Sequence, residues 1–362
     1  MMLRVYGLFS ADWLKKVWYK KVQLNNGAKP GLNEDKARGW DSVGIPLEEK
    51  VFYGNNVAVL KRAADCTVYQ MQDATGEGFM TCYNVFPGID LLYNDFHMQS
   101  CFSEFRPKVA MIGIDHCREG RIEWEFRDGS YMYLQEGDLQ INAKEHHAMG
   151  FGFPLSHYHG ITVAVYLDEA LPTLATVFDG VWVDLPALRD KFCAGPRPFI
   201  MRAADSIQHI FSELYTVPEA IRRNYLKIKV LELLLFLSAL DLPVNSEARP
   251  YFPKKQVETV KAIMKYLTEN MDRHFTLNQL STRFDIPLTT MKICFKGIYG
   301  TSIYAYLRAY RIRTAAFMLR QTGENITTVA GKVGYHNPSK FAAAFKAIMG
   351  LPPAKYQQED PP

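Results

Sequence analysis

A chain of 362 residues that is 48% hydrophobic holds apolar material for two or three domains, each with its own core. Its six cysteines (Cys66, Cys82, Cys101, Cys117, Cys193 and Cys294) form no CxxC pair, which excludes a small disulfide scaffold and argues against a structural zinc module. Net charge is only +4, yet Lys254 to Tyr356 carries 16 Lys and Arg against 5 Asp and Glu, leaving 26 against 33 elsewhere. A basic segment beside a mildly acidic one is the distribution expected of a phosphate-binding unit joined to a sensor.

Residues 1–50 read as an extension and linker. Within them Ser10 to Val22 has the pattern of a short basic amphipathic helix with Trp13, Val17 and Val22 on one side, best placed as a peripheral helix on the next domain. From Val51 to about residue 200 the rhythm shifts to short alternating runs. In Arg121 to Arg127, Ile122, Trp124 and Phe126 face one way and Glu123 and Glu125 the other, and Asp128-Gly129 is a strong hairpin turn. Glu136-Gly137-Asp138 turns again before Leu139 to Ile141, and Thr162 to Leu167 is a further run. Short strands at this spacing predict a small β-barrel or sandwich over 51–200.

The helical period returns over 201–241. Ile207, Ile210, Phe211 and Leu214 line one helix; Leu226, Val230, Leu233, Leu234 and Leu237 give the next an apolar stripe wider than one partner needs. Residues 242–255, with three prolines, form a linker. Over 256–357 one pattern is laid down twice, from Thr276 to Lys296 and from Asn325 to Lys346: a short helix, a tight turn, and a second helix ending in phenylalanine and lysine. In the first copy Leu277, Leu280 and Phe284 form the apolar face, and Asp285-Ile286-Pro287 turns. Met291 and Phe295 then point inward, leaving Thr289, Lys292, Ile293 and Lys296 outward. In the second copy Ile326, Val329, Ala330 and Val333 pack, Gly334 turns, and Phe341 and Phe345 anchor, leaving Ser339, Lys340, Ala343 and Lys346 outward. Ala330 and Gly331 are small enough for close helix approach. A linking helix, Ser302 to Gln321, buries Tyr304, Leu307, Ile312, Ala315, Met318 and Leu319 and spans roughly 30 Å. That separation suits two recognition helices in successive major grooves, about 34 Å apart. Arg308, Arg311, Arg313 and Arg320 on this helix are natural phosphate partners.

These features, with the stretch GYHNPSKFAAAFK and the closing MGLPPAKY, closely resemble the DNA-binding domain of AraC/XylS-type transcription regulators. The resemblance implies an α+β multidomain chain: a cupin-like β-barrel sensor, a helical connector that carries dimerisation, and an all-α double helix-turn-helix domain. It implies an activator that is not an enzyme and needs no cofactor. Its partners would be double-stranded DNA, a small-molecule effector, a second copy of the chain, and RNA polymerase. Carried onto this sequence, base reading falls to Thr289, Lys292, Ile293, Ser339, Lys340 and Ala343, and phosphate contact to Lys296, Arg308, Arg311, Arg313 and Lys346. Pro287 departs from the family, which usually has a serine or threonine cap there, and the alanine-rich second helix points to contact with thymine methyls.

Other chemistry is thinly supported. His146 and His147 are adjacent and His157 and His159 share a strand face, but the carboxylate a metal cupin needs does not follow them. No metal is expected, and no nucleophile elbow, P-loop or dinucleotide fingerprint is present. An enzyme with a catalytic metal-binding cupin domain targeted to DNA is the main alternative; a protein-binding basic bundle is the other. Trp124 and Phe126, with His116 as a polar handle, are the provisional effector site. The longest greasy run, Val230 to Leu240, contains Glu232 and is too short to span a bilayer, and no signal peptide is expected, so the expectation is a cytoplasmic protein without a membrane partner.

Overall fold

The computed structural model describes residues 57–101, 109–143, 150–177, 183–195, 197–203, 205–241 and 251–358. The helix expected at Ser10 to Val22, both His146 and His147, and most of the 242–255 linker lie outside the described residues. The chain divides into two compact units, Met1–Tyr251 and Phe252–Pro362.

In the first unit the strands are β1 (Val57–Arg62), β2 (Thr67–Asp73), β3 (Gly76–Phe86), β4 (Ile89–His97), β5 (Ser100–Cys101), β6 (Met111–Glu125), β7 (Ser130–Gln135), β8 (Asp138–Asn142), β9 (Gly150–Gly152), β10 (Tyr158–Tyr166) and β11 (Phe199–Arg202). They pair antiparallel in the order β1, β2, β3, β4, β10, β6. The long β6 serves two sheets. Its Gly113–His116 half pairs with β8, which carries β11; its Arg121–Glu125 half pairs with β7 and, on the other edge, with β9. The strand bends between these halves, where the register shifts opposite His159 and Gly160 and where Gly120 sits at φ +82. A Cβ at Gly120 would lie 2.2 Å from the His157 carbonyl oxygen, so only glycine fits. The expected hairpin at Asp128-Gly129 forms, with Phe126 N donating to Ser130 O at 2.9 Å. Among the described strands the pairing does not close into a ring.

Period-two alternation gives the main sheet two buried faces. Val57, Tyr69, Met80, Leu92, Phe96, Met111 and Cys117 meet Met132, Leu134 and Phe153 of the second sheet in a core between the sheets. Leu91, Ile112, Ile114, Leu139, Ile161 and Val163 face the opposite way, under helices α1 (Leu167–Val177), α2 (Leu185–Cys193), α3 (Asp205–Leu214) and α4 (Arg222–Ala239). The stripes read from the sequence for α3 and α4 are the buried ones.

The second unit contains α5 (Lys254–Glu269), α6 (Leu277–Arg283), α7 (Leu288–Tyr299), α8 (Ile303–Gln321), α9 (Ile326–Lys332), α10 (Pro338–Met349) and α11 (Pro353–Gln358). α5 buries Val257, Val260, Ile263, Met264 and Leu267 and packs on α7. α8 is the spine, touching α5 and α7 on one side of the unit and α9, α10 and α11 on the other. Its Ala315 and Ala316 are fully buried in the core with Val329, Phe341 and Phe345, small side chains where helices meet. Two expectations fail here. Tyr304 is 53% exposed, because the buried arc of α8 begins at Ile303, one residue and about 100° away. Gly331 is exposed and an added Cβ would meet nothing within 4 Å, so close approach rests on Ala330 alone.

Candidate nucleic-acid interface

The two helix-turn-helix copies fold alike. α6 begins at a capping box, Thr276 accepting from Gln279 N while Gln279 Oε1 accepts from Thr276 N. α9 begins at Asn325, which accepts from Thr328 N at 2.8 Å. Each ends in a left-handed residue: Asp285 at φ +48 in the first copy, Gly334 at φ +81 in the second. The following amide then bonds back into the helix, Ile286 N to Ser281 O at 3.1 Å and Tyr335 N to Ala330 O at 2.9 Å. The second helices, α7 and α10, both stop at a left-handed glycine, Gly300 and Gly350. They start differently. Asn337 caps α10 by accepting from Lys340 N at 3.0 Å, with Pro338 in the first turn; Pro287 offers α7 no side-chain cap.

α7 turns Met291, Cys294, Phe295 and Ile298 inward, and α10 turns Phe341, Ala344 and Phe345 inward. Thr289, Lys292, Ile293 and Lys296 on α7 and Ser339, Lys340, Ala343 and Lys346 on α10 are all exposed. Ile293, 55% exposed, is an apolar side chain that the fold leaves in solvent amid lysines. Thr289 and Ser339, Ile293 and Ala343, and Lys296 and Lys346 occupy matching places on the two helices, so one outward face is presented twice. Arg308 and Arg313 of α8 are also exposed.

Arg311 is not part of that surface. It is 7% exposed and its Nη2 donates to the Arg273 carbonyl at 2.6 Å, so it cannot reach a phosphate. Burial pulls its pKa down, opposed by Tyr335 and Asp272. Arg320 lies over the Tyr356 ring, 4.0 Å from its centroid. The sequence missed the role of Arg311 because spacing assigned it to a charged arc; the residue that signals otherwise is Gly334, whose missing side chain makes room for it.

The provisional effector residues are not brought together. Trp124 and Phe126 pack, half-buried, against the core between the sheets. His116 faces the other way, stacked on Phe211 at 4.2 Å with Nε2 3.2 Å from Gln208 Oε1, and burial holds its pKa at about 4. Alternation along β6 sets His116 with Ile112 and Ile114, away from the inward Met111 and Cys117, and the extra residue at the register shift between Cys117 and Glu119 reverses the parity, turning Ile122, Trp124 and Phe126 to the inner side. His159 also sits beside Tyr215, and His157 Nδ1 is bonded to the Leu155 carbonyl, so the two do not converge on a ligand. On the inner face lies a polar stripe that sequence reading overlooked. Thr162 donates to Asp115 at 2.8 Å, Asn94 donates to Thr162 at 2.9 Å, and Asn142 approaches Asp115 at 3.4 Å. Gln140, directly opposite Asp115, is 2% exposed and its Oε1 has no partner among the described residues. The run Asp138–Asn142, polar at every second residue yet buried throughout, was the available signal.

Residues 280–359 match a family described as a helix-turn-helix domain. A putative AraC-like transcription regulator of Streptomyces lividans is 31% identical over 86 residues, 24% of this chain and 28% of that protein. The F1 operon positive regulatory protein of Yersinia pestis is 31% identical over 100 residues, 27% of this chain and 33% of its own length. Among solved structures, the C-terminal domain of the response regulator yesN from Fusobacterium nucleatum subsp. nucleatum is 25% identical, covering 28% of this chain and 99% of that one at a TM-score of 0.27. The chain spans about a third of the length of the curated relatives it matches. No helix among the described residues is long and apolar enough to cross a membrane. The C-terminal unit, then, holds a helix-turn-helix domain similar in sequence to those of AraC-like transcription regulators.

Proposed function

We propose that this protein is a sequence-specific DNA-binding regulator of transcription, an activator, that lays α7 and α10 in two successive major grooves. The observation that carries it is the repeated outward face: two helices that stop at the same left-handed glycine, with buried anchors and exposed residues at the same positions. Thr289, Lys292, Ile293, Ser339, Lys340 and Ala343 read base edges; Lys296, Lys346, Arg308 and Arg313 hold phosphates. The first unit is the sensor, a cupin-like sandwich whose inner face, with Trp124, Phe126 and the Asp115–Gln140 stripe, takes a small effector. A partner-less buried amide oxygen supports that placement, since such groups are costly unless something donates to them. Ile221 at the N-cap of α4 and Ile228 and Leu235 along it, exposed at heptad spacing, support pairing of two copies there. RNA polymerase is the downstream partner of an activator.

Selection of bound duplexes from a random pool by the full chain at moderate salt tests the reading. Two short enriched boxes about one helical turn apart are expected. A pool that stays random at every salt concentration refutes sequence reading and leaves a basic bundle for other partners.

A further inference from the structure

We infer that Arg311 is a positioning residue that locks the two reading units at one separation, making the spacing between the two DNA boxes a determinant of specificity. This rests on the DNA-reading function proposed above. The segment Met271–His274 leads into α6 and so belongs to the first reading unit; Gly334 is the turn of the second. The two are pressed together. A Cβ at Gly334 would lie 2.7 Å from Met271 O, 3.1 Å from Asp272 O and 3.2 Å from the Arg311 Cζ. His274 Nε2 lies 3.1 Å from the Gly334 carbonyl oxygen. Arg311, reaching from the middle of α8, donates to Arg273 O at 2.6 Å and fills the junction. Its Nε has no partner among the described residues. A guanidinium buried with an unmet donor is a poor device for stability alone, because an apolar side chain of similar volume would be cheaper to bury. What the guanidinium adds is direction: it bonds one carbonyl of the first helix-turn-helix copy while lying against the turn of the second copy.

The test uses the full chain and duplexes carrying the two selected boxes at their selected spacing, with one, two or five base pairs inserted, and with one box deleted. The unaltered protein is expected to lose at least about tenfold in affinity on a two-base-pair insertion, since the second helix-turn-helix copy no longer binds at high effective concentration. Arg311→Met is expected to compress that discrimination to under about threefold while single-box affinity stays within about twofold. His274→Ala, at an exposed position, is expected to shift the same way to a smaller degree, and it decides the matter if Arg311→Met does not fold. A DNA-free measurement separates this inference from the proposed function. Spin labels at Thr289→Cys and Ser339→Cys, in a chain whose accessible native cysteines are replaced by serine, should give one narrow distance that broadens with Arg311→Met or His274→Ala. Unchanged spacing discrimination together with an unchanged distance in folded variants overturns the inference. So does equal weakening on single-box and two-box duplexes, which would mark a general structural role.

Discussion

Gly334→Ala probes the junction directly, and Gly350→Ala supplies its control. Both residues are left-handed, at φ +81 and +82, so alanine at either pays the same conformational strain, about 1 kcal/mol once the entropy removed from the unfolded chain is credited. Around Gly350 an added Cβ meets nothing within 4 Å, and strain is the whole cost. At Gly334 the methyl would press on two backbone carbonyls, adding about 1–3 kcal/mol of overpacking. For a domain of this size 1 kcal/mol shifts the melting temperature by about 4–8 °C. Gly350→Ala should therefore lower it by about 5 °C and Gly334→Ala by about 10 °C or more. All five tryptophans (Trp13, Trp18, Trp40, Trp124 and Trp182) precede Phe252, so tryptophan emission follows the first unit only. The far-ultraviolet dichroism transition that emission does not share reports the second. Equal shifts for the two variants, or movement of the tryptophan transition alone, would refute the packing described for Gly334.

Four further outcomes are expected. Lys292→Ala and Lys340→Ala should each relax base preference in a different box when bound pools are resequenced, by the equivalent of about 1–3 kcal/mol at the affected position; relaxation of both boxes by either variant contradicts the assignment. Replacing Pro287 should separate cap from rigidity: serine there should be more stable than alanine by about 1 kcal/mol in the second unit's melting, because it restores a side-chain acceptor at an extended N-cap of φ −56, ψ 136. His116 has a folded pKa of about 4 against an ordinary 6.5, so the unfolded chain binds the extra proton first. Stability of the first unit should hold above pH 6.5 and fall by about 3 kcal/mol on acidification towards pH 4, read from urea midpoints of tryptophan emission, and His116→Gln should flatten that slope. Ile228→Glu places a charge on a side chain 60% exposed, so it should leave melting within about 0.5 kcal/mol while lowering the dimer fraction in sedimentation; an unchanged dimer moves the pairing surface elsewhere.

The second unit was legible in the sequence because helix periodicity, caps and turn residues are local. Thr276, Asn325, Gly334 and the paired phenylalanines announce themselves within a few residues of what they do. Arg311 did not, since its partner carbonyl at Arg273 lies 38 positions away and nothing in the spacing separates a phosphate contact from an internal tie. In the first unit the Asp128-Gly129 hairpin was readable for the same local reason. Face assignment across sheets was not: His116 and Trp124 share one strand, yet the bend at Gly120 and the alternation of β6 send them to different cores. The buried Asp115–Gln140 stripe is set by pairing among β10, β6 and β8, which is non-local throughout.

The two reading helices share a frame but differ in chemistry, and the difference has a direction. α7 presents Thr289, Lys292 and Ile293 from an uncapped start, with donors and an apolar side chain suited to discriminating base edges. α10 presents Ser339 and Lys340 from a firmly capped start, followed by alanines at 342, 343 and 347 that reach little beyond a methyl group. Under the proposed function, a helix so built is held well and reads sparingly. Its selectivity must come largely from where it is placed relative to the first helix, which is why the junction at Arg311 and Gly334 matters more to recognition than its distance from any base would suggest.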